Sequence, residues 1–268
     1  MDFCLPIDLD RLQNDRLKLI LIEHCTDENL EEYIAETCVK HPELWEYFPS
    51  GPHKSVASYK KYYDDNHRYN PTTAIFAIYL KAGQVSKGKP GSTEVETIEV
   101  GEGTFAGTTG LLNASPENST VEIGYVMLLP RFHRTFVNTH ASCLLLKHLL
   151  DPIEGGDLNM RRVQWQANSM NQPSIAAAQR LGMTLEGIVR WQRVVADNKK
   201  CVSETSSERA DGKPVVDREG RKLEPGRHSA VLALCWDDWL EDWDQATGHD
   251  NEGCDVEYGS LLFEIWRL

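Results

Sequence analysis

The sequence lacks any C-x-x-C pair, and its seven cysteines are scattered along 268 residues. An odd number of isolated cysteines argues against a disulfide framework, and the missing pairs argue against a zinc ribbon. No apolar run approaches the roughly 20 residues that a membrane-spanning helix needs. The first residues, MDFCLPIDLDRLQND, hold acids and no long apolar stretch, so no signal peptide is visible. These absences predict reduced thiols, no metal site, a cytoplasmic or nuclear setting and no membrane partner.

Positive charge is also scarce, since 28 lysines and arginines face 41 acids and leave a formal net charge of −13. Nucleic-acid binding usually needs a basic face, so this balance argues against nucleic acid as a partner. What the chain does have is a hydrophobic content of 41%, which is ordinary for a globular protein with a real core. The sequence leaves the oligomeric state open, and a homo-oligomer is compatible with it.

Hydrophobic patterning predicts strands and helices in the order β–α–α–β–β–β–α–β–α–β–β. The strands are predicted at 16–23, 72–81, 104–113, 119–130, 161–169, 186–195 and 228–239. The helices are predicted at 26–41, 55–69, 139–151 and 174–182. Adjacent strands in the middle of the chain favour antiparallel pairing. This order predicts an α+β fold with a mixed, mostly antiparallel sheet flanked by helices.

Two polar segments interrupt the pattern. Residues 82–103 are predicted to be an insertion that contains a short ribbon, and residues 196–227 are predicted to be a loop or flap because charged residues, glycine and proline dominate there. We expect a single domain over residues 1–240. Residues 241–268 are expected to form an acidic C-terminal tail with an apolar end, YGSLLFEIWRL.

The segment RFHRTFVNTH, residues 131–140, joins a predicted strand to a leucine-rich predicted helix. It belongs to a stretch of 28 residues, 123–150, that has no acid but includes Arg131, Arg134 and Lys147. The start of a helix offers free N–H groups and the positive end of the helix dipole, which suits a phosphate. The pattern therefore predicts an anion cradle. The alternative is that these arginines are solvated loop residues beside a buried helix.

Five stretches, taken together, resemble the GNAT superfamily of acyl-CoA N-acyltransferases. They occur in the family's order and read HPELWEYFPSGP, AGTTGLLNASPENSTVEIGYVMLLP, RFHRTFVNTHASCLLLKHLL, NSMNQPSIAAAQRLGMTLEGIVRWQRV and HSAVLALCWDDW. Within the superfamily they resemble the branch that contains ribosomal-protein N-terminal acetyltransferases. The resemblance implies a GNAT-like fold with acetyl-CoA as co-substrate.

In this family two neighbouring central strands splay apart, and the pantetheine of CoA lies between them. The resemblance implies that pantetheine meets the backbone of Val126, Met127 and Leu128. The other implied cofactor contacts are His133, Arg134, Thr135, Phe136, Val137, Asn138, Thr139, Asn171 and Ser174. One position departs from the family loop, because Phe136 stands where the family has a glycine that lets phosphate approach the backbone.

The resemblance also implies roles in acyl transfer, which needs a neutral amine and a proton for the leaving thiolate. Ser174 is the candidate donor of that proton, and the alternative is an N-cap-like residue of its helix. Glu122 is the candidate base for the amine, directly or through water. Its alternatives are a structural carboxylate and an exposed strand charge. Asn171 is expected to hold pantetheine, and the alternative is local turn capping.

Four aromatic residues are candidates for the pocket of the amine acceptor, although such residues are also typical of a core. They are Trp45, Tyr47, Phe48 and Trp191. His140 is expected on the surface of its helix.

The function that the resemblance implies is transfer of an acetyl group from acetyl-CoA to a primary amine of a small molecule or a peptide N-terminus. The alternative is a non-catalytic module with a GNAT fold that binds CoA or a protein partner. A hydrolase using Ser174 or a cysteine is a third hypothesis, but the sequence lacks the G-x-S-x-G elbow that would support it.

Overall fold

The computed structural model describes residues 3–88, 95–153, 156–195, 199, 216, 218–220 and 226–240. The strands are β1 (Leu17–Leu21), β2 (Ala74–Leu80), β3 (Gly83–Gly88), β4 (Val95–Val100), β5 (Thr104–Ser115), β6 (Thr120–Leu128), β7 (Arg162–Asn168), β8 (Thr184–Val194) and β9 (Gly226–Cys235). The α-helices are α1 (Asp27–Ile34), α2 (Val56–Tyr63), α3 (Val137–Leu150) and α4 (Gln172–Arg180), and residues 236–240 after β9 are also helical. Among these residues, no helix combines the length and the apolar character needed to cross a membrane.

A seven-stranded sheet with the order β1-β2-β5-β6-β7-β9-β8 forms the centre of the fold. Neighbouring strands run antiparallel except β6 and β7, which are parallel. Helix α3 packs against β1, β5, β6 and β7, and α4 packs against β7 and β9. Strand β2 is buried at every position, as its run of apolar residues predicts. The predicted α+β fold, a mostly antiparallel sheet flanked by helices, is confirmed.

The two helices that follow β1 begin where their capping residues predict. The Thr26 hydroxyl accepts a hydrogen bond from the backbone N–H of Asn29, and Ser55 forms a reciprocal capping box with Ser58. Both helices then continue as π-helical segments, Ala35–Lys40 and Asp64–Arg68. A π-turn adds a residue to the ordinary turn and shifts the side chains that follow it, and such segments are frequent at functional sites.

The predicted insertion at 82–103 contains an antiparallel ribbon of β3 and β4. Val85 of β3 is buried in the hydrophobic core, and two basic side chains also connect the ribbon to the rest of the domain. The guanidinium of Arg16 donates to the Gln84 carbonyl at 2.9 Å, and the Lys87 ammonium donates to the Pro130 carbonyl at 3.4 Å. The ribbon therefore lies beside the connection between β6 and α3.

The second polar segment, 196–227, is described at only a few positions. One of them is Lys199, which is buried and whose ammonium donates to the carbonyls of Trp45, Ser50 and Gly51. The predicted acidic tail, 241–268, lies outside the described residues. The domain boundary at residue 240 stays a prediction.

Candidate active site

The two parallel strands of the sheet separate part of the way along their length. Strands β6 and β7 pair from Thr120 opposite Arg162 to Ile123 opposite Trp165. Beyond these pairs β6 continues against β5, and β7 continues against β9. The predicted splay between the central strands is therefore confirmed. We call the gap between β6 and β7 beyond Ile123 and Trp165, their last paired residues, the wedge.

A β-bulge marks the start of the wedge. Tyr125 has a φ of +51°, in the left-handed region, and the pairing of β6 with β5 shifts between Thr108 and Gly110. A bulge bends a strand and redirects its side chains. On the facing strand Gly107 has a φ of +138°, and an added Cβ there would lie 2.3 Å from the Met127 carbonyl oxygen, so only glycine fits.

The strand residues predicted to meet pantetheine, Val126, Met127 and Leu128, lie in the separated part of β6. Met127 and Leu128 already pair with Thr108 and Gly107 of β5, and the Leu128 carbonyl also lies 3.0 Å from Nε2 of His133. Burial, followed by nearby positive charge, lowers the pKa of His133. Because Nε2–H donates to the Leu128 carbonyl, Nδ1 of a neutral ring is an acceptor, so His133 can donate to a phosphate only when its ring is protonated.

The strand–helix loop, residues 129–136, leads from β6 into α3. The helix starts at Val137, so Val137, Asn138 and Thr139 belong to its first turn. The predicted start at residue 139 is therefore two residues late. Phe136 precedes the helix with φ −64° and ψ −17°, an ordinary helical conformation, and it provides no capping side chain. The positive φ of this loop, +63°, falls on Arg134. The position of Phe136 therefore does not require the conformational freedom of glycine.

The two loop arginines differ in their partners. Arg131 forms a 2.5 Å ion pair with Glu32 of α1 and donates to the Phe105 carbonyl at 3.3 Å. Arg134 is exposed at the tip of the loop. Glu32, which is distant in sequence, therefore places a carboxylate beside the stretch that has no acid of its own. Arg131 is committed to the fold, and Arg134 is the better candidate for holding an anion.

Two further cations reach the strand–helix loop. The guanidinium of Arg16 lies 4.0 Å from the centre of the Phe136 ring, which is close enough for a cation–π contact, and Lys87 reaches the loop from the ribbon. Sequence reasoning missed both, because they come from segments far from the loop in the chain and no local pattern marks them.

His140 is not a surface residue, and this expectation was wrong. The residue is 4% exposed, its Nδ1 lies 3.2 Å from the side-chain amide of Asn14, and its ring packs on Phe136. Burial, followed by the charge of Arg16, lowers its pKa to about 4. The reason is packing, because α3 carries apolar residues around most of its circumference and leaves little exposed surface.

Asn171 and Ser174 lie at the start of α4, close to the wedge. Asn171 is the N-cap residue, and its Oδ1 accepts from the Ser174 backbone N–H at 3.3 Å. The Ser174 hydroxyl oxygen accepts from the indole N–H of Trp165 at 3.0 Å. Trp165 is the last residue of β7 that pairs with β6. Because Ser174 accepts this bond, its own hydroxyl proton remains available for donation.

Glu122 is 3% exposed, so it is not an exposed strand charge. Its Oε2 accepts from the side-chain amides of Asn113 at 2.9 Å and Gln164 at 3.2 Å. Burial is the largest influence on this carboxyl and raises its pKa. Glu122 also lies in the paired part of β6, opposite Gln164, before the wedge opens. This geometry matches the structural carboxylate that the sequence left as an alternative.

A second group of residues borders the wedge on the side of α1 and α2. They enclose a small cavity of about 10 Å³, which we call the aromatic void. Its lining consists of Tyr33, Trp45, Ser50, His53, Tyr59, Tyr62, Tyr63, His67, Ile75, Thr108 and Tyr125. The hydroxyl oxygens of Tyr62 and Tyr125 are 2.8 Å apart. This lining brings together α1, α2, β2, β5, β6 and the loops between them.

The structure brings only one of the four predicted acceptor-pocket aromatics, Trp45, into this lining. Phe48 packs on Trp45 with ring centres 5.3 Å apart. The Tyr47 carbonyl accepts from Arg227. Trp191 is 55% exposed on β8. The tyrosines of α2 carried no recognisable signal in the sequence, because a helix with tyrosine on one face is usually packed into a core.

Comparison with known proteins gives a family and a fold. A family model described as "Acetyltransferase (GNAT) domain" matches residues 18–184. No curated protein matches the sequence.

Solved structures match over most of the chain. A GCN5-related N-acetyltransferase from Brucella melitensis has 19% identity and a TM-score of 0.61, covering 96% of this chain and 94% of its own. A probable acetyltransferase of the GNAT family from Chromobacterium violaceum has 20% identity and a TM-score of 0.57, covering 85% and 87%. A Salmonella typhimurium acetyl transferase that modifies the N-terminal serine of ribosomal protein L7/L12 has 15% identity and a TM-score of 0.52, covering 83% and 96%. Identities this low support the shared fold alone.

Proposed function

Because the chain belongs to the GNAT acetyltransferase family, we propose that it transfers an acetyl group from acetyl-CoA to a primary amine by direct attack in a ternary complex. The acceptor class is a small molecule or a peptide N-terminus. The observation that carries the proposal is the wedge after Ile123, where β6 and β7 stop pairing. It leaves a strand edge open to an extended, amide-bearing ligand such as pantetheine.

The cofactor is proposed to lie along the wedge and across the strand–helix loop. Pantetheine amides would pair with the backbone of Val126, Met127 and Leu128, in the manner of an added strand. The pyrophosphate would lie at the start of α3, where backbone N–H groups and the helix dipole favour negative charge. The remaining proposed contacts are His133, Arg134, Thr135, Phe136, Val137, Asn138, Thr139, Asn171 and Ser174.

The chemical roles follow from the donors near the wedge. A backbone N–H near Met127 is proposed to stabilise the oxyanion that forms on the acetyl carbonyl. The Ser174 hydroxyl is proposed to give its proton to the CoA thiolate, since its oxygen is already fixed by Trp165. Glu122 as the base stays a prediction, but its hydrogen bonds to Asn113 and Gln164 favour the role of a structural carboxylate.

Calorimetric titration of acetyl-CoA tests the cofactor step. We expect saturable heat and a rise in the melting temperature, since a ligand that binds only the folded state stabilises it. If acetyl-CoA produces neither binding heat nor a rise in melting temperature, both the enzymatic and the CoA-binding hypotheses are wrong. Incubation with acetyl-CoA and a panel of primary amines then tests transfer by the release of free CoA thiol. The panel includes peptides with an N-terminal serine because a structural relative modifies such a terminus.

One observation favours the non-catalytic module as a second candidate. Phe136 places a side chain where phosphate approaches the backbone, and the Arg16 guanidinium covers its ring. We predict that Phe136→Gly tightens acetyl-CoA binding about threefold, because the backbone becomes accessible. Weaker binding by calorimetry would instead make the ring part of the cofactor site. Turnover by the unmodified chain would exclude the non-catalytic candidate.

Several finer points stay predictions. They are the relation to the ribosomal-protein branch, the absence of a metal cofactor and of nucleic-acid and membrane partners, a homo-oligomeric state and a cytoplasmic location.

A further inference from the structure

His67 is a buried side chain without a hydrogen-bond partner among the described residues. It is 9% exposed, and both of its ring nitrogens lack a partner. Leaving a buried polar group without a hydrogen-bond partner destabilises the folded state, so native structures rarely keep one without a use. A neutral imidazole has one N–H donor and one acceptor nitrogen, so two unsatisfied nitrogens on this buried ring point to a ligand that both donates and accepts hydrogen bonds.

The fold fixes the His67 ring from several sides. Its centre lies 4.7 Å from the Tyr125 ring, 5.3 Å from the Tyr62 ring and 6.2 Å from the Tyr63 ring. The first contact comes from β6, and the other two come from α2. His67 itself belongs to the π-helical segment Asp64–Arg68 that follows α2. A ring held in this way presents its nitrogens in a fixed position.

The chemistry of the aromatic void suits an amine. Its titratable groups are the two histidines, His53 and His67, and five tyrosines, Tyr33, Tyr59, Tyr62, Tyr63 and Tyr125. Among the residues that the structure describes, no carboxylate, lysine or arginine lines it. Burial lowers the pKa of both histidines and raises the pKa of Tyr33, Tyr59 and Tyr125. At neutral pH the lining therefore offers neutral imidazole acceptors, hydroxyls and aromatic faces, which amino and ammonium groups favour.

The size and position of the aromatic void limit what can enter it. A cavity of about 10 Å³ holds one group the size of water, which matches an unhindered amino group. Tyr125 lies two residues beyond Ile123, the last β6 residue paired with β7. Thr108, also in the lining, pairs with Met127, where the proposed oxyanion donor lies. The aromatic void therefore borders the place proposed for the thioester.

We propose that His67 is a catalytic residue that receives the amino group of an unhindered primary amine, beside the paired hydroxyls of Tyr62 and Tyr125, and takes the proton which that amine releases. This inference rests on the proposed acetyl transfer and names its base. The amine lone pair attacks the thioester carbon, and a C–N bond forms. The N–H proton passes to His67, the C–S bond breaks, and the thiolate receives the Ser174 proton. Solvent then exchanges protons with His67 and Ser174, leaving an amide and free CoA thiol.

Methylamine is the first probe, because the true acceptor is not needed to test the site. Nitrogen-15 spectra of the histidine rings in the full chain, assigned with His67→Gln, are followed at neutral pH and fixed ionic strength. We expect a saturable shift of His67 and none of His140, a buried histidine whose Nδ1 already lies against Asn14. Tetramethylammonium, a cation without N–H donors, should leave His67 unmoved. No response to methylamine, or an equal response to both cations, overturns the proposal.

Kinetics with the best amine of the panel gives the second test. We expect His67→Gln to lower kcat about 100-fold, the range of general base catalysis, while the Kd for acetyl-CoA stays within about twofold. Added imidazole should restore part of the activity of His67→Ala, which a purely structural histidine would not allow. Full kcat in His67→Gln contradicts the proposal.

The two tests separate this inference from the proposed function. If the unmodified chain neither binds acetyl-CoA nor releases thiol, acetyl transfer fails, and with it the catalytic role of His67, while the methylamine spectra still decide whether an amine site exists. If the unmodified chain transfers acetyl groups, but methylamine does not shift the His67 signals and His67→Gln keeps full kcat, only this inference fails.

Discussion

The strand–helix loop and the aromatic void border the same wedge but are built in opposite ways. The loop uses a continuous stretch of chain, an exposed cation, Arg134, and the start of α3. The void collects neutral side chains from helices, strands and loops far apart in sequence. The comparison teaches that an anion site can be built by local chain geometry and charge. A small buried site that recognises a neutral group needs the whole tertiary structure.

The two regions should also respond differently to their surroundings. Exposed charges interact through water and are screened by salt, so binding at the loop should weaken as ionic strength rises. Groups in the void are desolvated, so burial dominates their protonation, as the lowered pKa of His67, about 4, indicates. Chemistry at the void should therefore depend on pH more than on salt.

The largest expected effect separates chemistry from cofactor binding. Ser174→Ala should lower kcat about 100-fold because the leaving thiolate loses its proton donor, while calorimetry should give a Kd for acetyl-CoA within about twofold. The matched control is Ser142→Ala, which removes a buried hydroxyl of α3 that has no partner among the described residues. Unchanged kcat in Ser174→Ala would leave this serine with only its bond to Trp165.

The next effect compares two buried histidines, His67 in the void and His140 beside the loop. Each has a folded-state pKa of about 4, below the unfolded value of about 6.5. The unfolded chain therefore binds protons first as the pH falls. The stabilisation is complete above about pH 6.5 and is lost progressively toward pH 4. At pH 5, protonation of each histidine in the unfolded chain should have lowered the free energy of unfolding by about 2 kcal/mol.

Urea unfolding at pH 7 and pH 5 measures this loss. His67→Gln and His140→Gln should each flatten the pH dependence. An unchanged slope in both buried variants would mean that these rings keep ordinary protonation in the folded chain.

A smaller effect distinguishes the two arginines of the loop. Arg134→Ala should weaken acetyl-CoA binding about tenfold and reduce its sensitivity to salt, since a charge-assisted phosphate contact is lost. Arg131→Ala should change affinity less than twofold, because Arg131 is paired with Glu32. Calorimetry at low and high salt checks both variants. Equal losses would mean that the ion pair opens when the cofactor binds.

The smallest effect concerns Asn171, which caps α4 and is proposed to hold pantetheine. Asn171→Ala should raise the KM for acetyl-CoA about fivefold and lower stability by about 1 kcal/mol. Asn171→Asp keeps the capping oxygen but loses the amide donor, so it should recover stability and leave KM high. If the aspartate variant also restores KM, the cap alone explains the role of this residue.

Much of the fold was readable in the sequence because it depends on local pattern. The apolar run of β2, the cap at Thr26 and the strand-like stretches around the turn at 116–119 each act through near neighbours in the chain. The two π-helical segments were not readable, because they extend ordinary helical patterns without a distinctive composition.

The features of the candidate site also separate into those that local sequence predicts and those that depend on distant segments. By itself the sequence determined the order of strands and helices, the stretch that lacks acids and the resemblance that points to the wedge. Only the tertiary structure decided that Glu32 neutralises Arg131, that His140 is buried and that His67 faces a ring of tyrosines. The physical reason is range. Propensity and capping act over a few residues, whereas burial and charge pairing depend on which distant segments the fold brings together.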